Sequence, residues 1–326
     1  MEVSQDSEGL NLKGSVVNES YRMKGRAQKI SKDSFIRRNR AEPDNFVTGQ
    51  TFLRITENNL TDNPRIRYGL LEQVLSPLNL NLAYKQVRSN KGSSGIDKME
   101  VDSLKDYLVE NKEALIESIR SGKYRPNPVL RVMIPKENGK QRQLGIPSVV
   151  DRVIQQAIFQ ELTKLYEGQF SNNSYGFRPK RNAHQALKQC QKYINAGYIH
   201  AVKIDFEKFF DTVHHSKLIE VLSRTINDGG VVSLIHKYLN AGVMVGDKLQ
   251  EIKSGVPQGG PLSPLLSNIM LNELDKELES RGHRFVRYAD DLLILCKSER
   301  SAYPVLYSTL HKRKTVFEGQ HGKDQG

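Results

Sequence analysis

The stretch Arg284-Phe285-Val286-Arg287-Tyr288-Ala289-Asp290-Asp291-Leu292-Leu293-Ile294-Leu295-Cys296 sets the frame for the rest of this chain. Two runs read as strands, Arg284–Arg287 and Leu292–Cys296, with Tyr288–Asp291 between them. That places adjacent carboxylates at the tip of a β-hairpin. Alone, a short acidic turn arises easily by chance and is usually a solvated loop. A third acid changes the reading. Asp205, in Val202-Lys203-Ile204-Asp205-Phe206, also ends an apolar strand and lies upstream of the pair. The run Leu292-Leu293-Ile294-Leu295 is of the kind buried on both faces, which would hold the turn rigidly.

Three carboxylates on strand ends suit one kind of chemistry. Nucleotidyl transfer uses two divalent ions roughly 3.5–4 Å apart, one at the attacking hydroxyl and one at the leaving oxygen. Mg²⁺ takes carboxylate and phosphate oxygens and keeps several waters. Asp205 and Asp290 are the expected main ligands, with Asp291 in support.

Composition fits a nucleic-acid partner without requiring one. Lys+Arg number 49 against 37 Asp+Glu, a formal charge of +12. Such an excess favours polyanions through phosphate contacts and counterion release. A basic cytoplasmic protein with no such partner has the same balance. The hydrophobic content of 37% can build a core. Cys190 and Cys296 lack metal-ligand spacing and make no disulfide framework, so a reducing compartment is expected. No apolar stretch is long enough for a membrane span, and the N-terminus lacks a signal-peptide core.

Further motifs lie along the chain in a fixed order. They are Lys91-Gly92-Ser93-Ser94-Gly95-Ile96-Asp97, Ile134-Pro135-Lys136, Arg142-Gln143-Leu144-Gly145-Ile146-Pro147, and Tyr175-Gly176-Phe177-Arg178-Pro179. Next come Asp205-Phe206-Glu207-Lys208-Phe209-Phe210-Asp211, Gly255-Val256-Pro257-Gln258-Gly259 and the Tyr288–Asp291 turn. With these pieces the chain resembles the reverse transcriptases of bacterial group II introns, also called maturases, from about Leu70 to about Ser301. The resemblance implies an RNA-directed DNA polymerase. Its partners would be an intron RNA template, a DNA primer or target, and dNTPs. Its cofactor would be two Mg²⁺ ions, with Mn²⁺ as substitute, and its setting the bacterial cytoplasm. The implied fold is α+β, a right-hand polymerase with fingers and palm, its antiparallel palm sheet packed on helices. Residues 1–65 would be a polar N-terminal extension, residues 66–200 mainly fingers, and residues 201–310 palm.

The same resemblance assigns individual residues. Phe210, five residues after Asp205, would sit under the sugar of the incoming nucleotide and exclude a 2′-hydroxyl, while Phe209 is core. Gln258 would touch the incoming nucleotide. Arg142, then Lys136, would grip its triphosphate, since Arg binds phosphate in a bidentate fork and Lys as a point charge. Lys91, Arg178 and Lys180 would meet the template, and Tyr288 the primer terminus. Tyr175 and Phe177 suit packing as well as contact. His214 and His215 receive no role.

The pattern also predicts elements. Helices are expected near Arg67–Val87, Val101–Arg120, Val149–Tyr166, Ser216–Arg224 and Val231–Ala241. A loop over Asn173–Lys180 opens another helix that runs through Lys192. Ser263 opens one more, carrying Leu265, Leu266, Ile269, Met270 and Leu274. Val129–Ile134 and Gln141–Ile146 form a hairpin about Asn138-Gly139, a dipeptide suited to a type I′ turn. The family continues past the acid hairpin with a palm helix, further strands, a thumb and an RNA-gripping region. Here the chain ends at Gly326. Glu299–Leu310 would begin the palm helix, and residues 311–326 read as an aberrant polar tail. The expectation is a missing thumb, from a frameshift, a premature stop or a fragment, with weak and non-processive synthesis. Two other readings stay open. One is a truncated, inactive remnant that only binds intron RNA. The other is a reverse transcriptase of another bacterial lineage, such as a retron enzyme.

Overall fold

Proline draws the first boundary. The periodicity predicts one helix to Val87, but the chain forms α1 (Leu70–Val74) and then α2 (Pro77–Asn90). The residue before a proline avoids helical geometry, and a proline in the first turn loses no needed N–H. Ser76 caps α2 by accepting from the Asn79 N–H. The computed structural model describes residues 15–17, 69–135, 139, 141–205, 209–252 and 254–305. Of residues 15–17, Asp205, Phe209 and Asp211 only the backbone is described.

α3 (Leu104–Arg120) starts three residues later than its pattern suggests and buries Leu104, Leu108 and Ile119. Val101 is buried just ahead of it. α4 (Val149–Tyr166) has the predicted bounds and Ser148 as its cap. Its face of Val150, Val153, Ile154, Ala157, Ile158 and Leu162 is core, as expected. Leu165 is not: it is 41% exposed, and Tyr166 takes the buried position instead.

Among the described residues, two four-stranded sheets organise the molecule. The first sheet contains β1 (Ser15–Val17), β4 (His200–Asp205), β7 (Arg284–Tyr288) and β8 (Asp291–Cys296), in the order β1-β4-β8-β7. Every pairing in it is antiparallel. β1 falls in the polar N-terminal region, where three residues carry too little periodicity to read. The second sheet is built on the predicted hairpin of β2 (Val129–Pro135) and β3 (Gln141–Ile146). Gly139 has φ of +75°, a left-handed backbone that glycine adopts without strain, and the rest of the expected Asn138-Gly139 turn lies outside the described residues. Unforeseen is a second hairpin, β5 (Val243–Val245) and β6 (Lys248–Gln250), which joins β2 in parallel through Val129 and Val243.

Helices cover the first sheet from both sides. α9 (Ser263–Ser280) packs on β7 and buries Leu265, Leu266, Ile269, Met270 and Leu274. Behind it lie α6 (Phe209–Thr212), α7 (His215–Ser223) and α8 (Gly229–Leu239) in one continuous core. Asp228 caps α8 and also accepts from the Leu71 N–H at 2.8 Å, which ties α8 to α1. On the other side, α5 (Ala183–Asn195) packs on β7 and β8. It starts at Ala183, where Asn182 and Gln185 form a reciprocal capping box. Alternation along β7 follows from this sandwich. Phe285 and Arg287 face the main core, while Val286 joins a small cluster with Tyr175 and Ala186. Residues 299–305 are helical, where the helix after the acid hairpin is expected. Among the described residues, no helix is long and apolar enough to cross a membrane.

Candidate active site

The two strands that carry the acids are neighbours. In the β4–β8 register Asp205 stands directly opposite Asp291, and in the β7–β8 register Tyr288 does too. Residues far apart in sequence thus meet at one end of the sheet. Asp290 is half-buried in the turn and Asp291 is exposed. The Asp291 carboxylate lies 3.7 Å from the Lys203 ammonium, an exposed pair that water and salt weaken. Ala289 holds φ of +57°, the tight backbone that lets the hairpin turn in so few residues.

Arg287 holds this turn from beneath. Its side chain is wholly buried, which is rare for arginine unless every donor is satisfied. Nε donates to Asp275 Oδ1 at 2.8 Å and Nη2 to Asp275 Oδ2 at 2.6 Å, a bidentate fork. Nη1 donates to Asn268 Oδ1 at 2.9 Å and to the carbonyl of Ala289, in the turn itself, at 2.8 Å. Burial pushes the Asp275 carboxyl upward, and the Arg287 charge opposes that push. α9 supplies both Asn268 and Asp275, so the turn is bolted to that helix.

A third element closes the assembly. The Asn173 carbonyl accepts from Arg287 N–H at 2.8 Å, and Tyr175 N–H donates to the Arg287 carbonyl at 2.9 Å. The loop therefore extends the sheet past β7 through Ser174. Asn268 Nδ2 donates to the Gly176 carbonyl at 2.9 Å. A Cβ on Gly176 would collide with the backbone N of Ala289 and lie 2.9 Å from its Cα. Only glycine lets the loop come this close to the acid turn.

Arg178, expected to meet the template, belongs to the same loop and braces it. It is 8% exposed and stacks over Phe170. Its guanidinium donates to the Glu167 carboxylate and to the carbonyls of Ser171, Ser174 and Glu167. All five N–H donors are turned inward. Phe177 is 48% exposed with φ of +58°, whereas Tyr175 is buried. Lys180 is exposed.

Two expected nucleotide contacts come together. Arg142 Nε on β3 donates to Gln258 Oε1 at 2.9 Å. The Gln258 carbonyl accepts from Gly145 N–H at 2.6 Å, which docks the 255–260 loop on the hairpin. Gly259 has φ of +127°, and a Cβ there would collide with the Gly145 carbonyl. Phe210 adjoins this loop: its carbonyl accepts from Val256 N–H, and its ring is 7% exposed in the core. His215 Nε2 is 2.7 Å from the Gly255 carbonyl, so the neutral Nε2–H tautomer donates. Burial lowers the His215 pKa and favours that neutral form. Lys91 is exposed at the C-cap of α2, in a loop whose Gly95 abuts the Ser148 backbone at the start of α4. Lys136 lies outside the described residues.

The acids at the sheet end offer oxygen ligands only, which fits Mg²⁺ or Mn²⁺. Among the described residues, no three His, Cys, Asp or Glu side chains cluster as a metal site, and the Asp205 side chain is outside that description. The sequence pattern singles out the acids, gives no role to Arg287, Asp275 or Asn268, and sets His215 aside. A charged residue in a strand reads as an exposed one. The available signal was Asp275, an acid at helical spacing with Leu271, Leu274 and Leu278 on the buried face of α9.

Residues 134–318 match the family model described as reverse transcriptase (RNA-dependent DNA polymerase). That span is more than half the chain and runs into the segment after His311. Protein YkfC of Escherichia coli (strain K12) is 38% identical over 65% of this chain and 57% of its own length. The group II intron-encoded protein LtrA of Lactococcus lactis subsp. cremoris is 39% identical over 68% of this chain and 37% of its own length. This chain thus spans less than two thirds of either relative. Among solved structures, a chain of the partial Cas6-RT-Cas1--Cas2 complex is 27% identical, with TM-score 0.48 over 77% of this chain and 42% of that one. The chain belongs to the reverse transcriptase (RNA-dependent DNA polymerase) family and is similar to its group II intron-encoded members.

Proposed function

We propose that this chain is an RNA-directed DNA polymerase of the group II intron type, transferring nucleotidyl groups from dNTPs to a primer 3′-hydroxyl on an RNA template. The observation that carries the reading is the register of the central sheet, Asp205 opposite Asp291 with Asp290 beside it. Asp205 and Asp290 would hold two Mg²⁺ ions, or Mn²⁺, with Asp291 in support. When bound, such ions activate the attacking hydroxyl and offset charge on the leaving phosphate.

The remaining work falls to the chain itself. Residues 201–310, with the acid-bearing strands β4, β7 and β8 and the helices α6–α9, serve as palm, and residues 66–200, with the β2–β3 hairpin and α1–α5, serve mainly as fingers. Arg142 releases Gln258 and grips the triphosphate with its fork, while Gln258 meets the nucleotide. Lys136 adds a point charge on the same hairpin. Phe210 forms the floor under the sugar and excludes a 2′-hydroxyl. Tyr288, 42% exposed at the end of β7, lies against the primer terminus. Lys91 and Lys180 touch the template backbone. The partners are an intron RNA and its DNA target, in the bacterial cytoplasm.

The test is primer extension on an RNA template with dNTPs and Mg²⁺, beside Asp290→Asn. Wild type extends the primer, and the variant does not but still binds RNA. Failure of folded, RNA-binding wild type to extend would overturn the polymerase reading and leave a binding remnant.

A further inference from the structure

We propose that the outer face of α5 is a ridge that binds the backbone of a single-stranded RNA, apart from the acid turn. His184, Lys188 and Lys192 recur every fourth residue, so they share one helix face at steps of about 6 Å along the axis. All three are exposed. The opposite face, with Ala186 buried and Gln189, Cys190 and Tyr193 half-buried, packs toward β7 and β8. The ridge therefore points away from the sheet.

Its charge is not neutralised locally. The sequence holds no Asp or Glu between Glu167 and Asp205. Among the described residues, neither Lys188 nor Lys192 pairs with a carboxylate. Elsewhere the pattern differs: Lys217, Arg224 and Lys276 are each paired, with Glu220 or Glu273. Rows of unpaired cations repel one another and gain when phosphates replace small counterions.

The ridge also has an apolar edge. Leu187 is 66% exposed and Ile194 48%, two turns apart along one flank. A narrow line of cations beside apolar side chains matches a single strand, whose backbone follows charge while its unpaired bases seek apolar contact. That the strand is RNA and not DNA rests on the reading of this chain as an RNA-copying enzyme. The ridge itself does not, because its test needs no synthesis.

The experiment is a salt titration of binding to a short unstructured RNA, and to single-stranded DNA of the same sequence, without primer or dNTPs. Wild type is compared with the Lys188→Gln/Lys192→Gln and Lys188→Arg/Lys192→Arg pairs. Losing two phosphate contacts should flatten the slope of log K against log salt by about 1.4 for a single strand. The Arg pair should keep the wild-type slope, and all three should melt alike and extend a saturating primer–template at one rate. An unchanged slope in the Gln pair, or equal loss in the Arg pair, would overturn the ridge. Equal affinity and equal slope change with DNA would overturn the RNA assignment.

Discussion

The two sheets of this protein differ in what surrounds them. In the first, Phe285, Arg287, Leu292 and Ile294 are at most 1% exposed, and α9 and α5 cover the two sides. In the second, the hairpin reaches outward with Val132, Met133 and Ile134 at 36% to 44% exposure, and β6 is exposed throughout. The acids sit on the covered sheet, and Arg142 sits on the open one. Fixed geometry is what the proposed reaction at the acids would require, since reacting atoms tolerate little displacement. An open strand leaves Arg142 exposed, as the nucleotide contact proposed for it would require. The contrast teaches that here a buried ion pair holds a turn in place. Such a pair adds little net stability over an apolar one, yet breaking it is costly.

The largest expected effect tests that buried pair. Arg287→Met leaves Asp275 uncompensated and should cost about 3–5 kcal/mol in urea unfolding. A cost near zero would mean that the turn does not depend on α9. Next is Gly176→Ala, which pushes the acid turn away from the loop. We expect kcat to fall about 100-fold, the scale of a misplacement near 1 Å, with RNA affinity kept. Unaltered kcat would show that the turn adapts freely.

The open sheet should respond differently. Arg142→Ala should raise KM for dNTPs about tenfold, near 1.4 kcal/mol, with little change in folding stability. A loss of stability instead would place Arg142 in the scaffold. His215, under the Gly255 carbonyl, gives a pH signature. Its pKa is depressed in the fold, so the unfolded chain binds the proton more readily. Its contribution is intact at neutral pH and above, and stability falls as pH drops below the ordinary histidine range, by at most about 1.4 kcal/mol per pH unit. His215→Gln should flatten that slope in melts taken between neutral and mildly acid pH. Smallest is Lys203→Gln, which removes an exposed pair and should change stability by about 0.5 kcal/mol or less.

Much of this was legible in the sequence because it depends on local pattern. α4, the β2–β3 hairpin and the acid hairpin each carry a clear period or turn. The split of α1 from α2 turned on Pro77, whose effect competes with an unbroken helical period. The β5–β6 hairpin was illegible because strands of three residues have no period to detect. The burial of Arg178 was illegible because it is set by Glu167, Phe170 and Ser171, contacts that no spacing rule encodes. Arg287 and Asp275 are 12 residues apart and meet only once β7 lies on α9.

The most direct test of the division between the sheets is steady-state primer extension on an RNA template with dNTP concentration varied, for Asp290→Asn and Arg142→Ala beside wild type. The account predicts that Asp290→Asn loses kcat at every dNTP concentration, while Arg142→Ala recovers most of its kcat at saturation. Wild-type kcat in Asp290→Asn, or a kcat loss in Arg142→Ala that saturation does not restore, would contradict it.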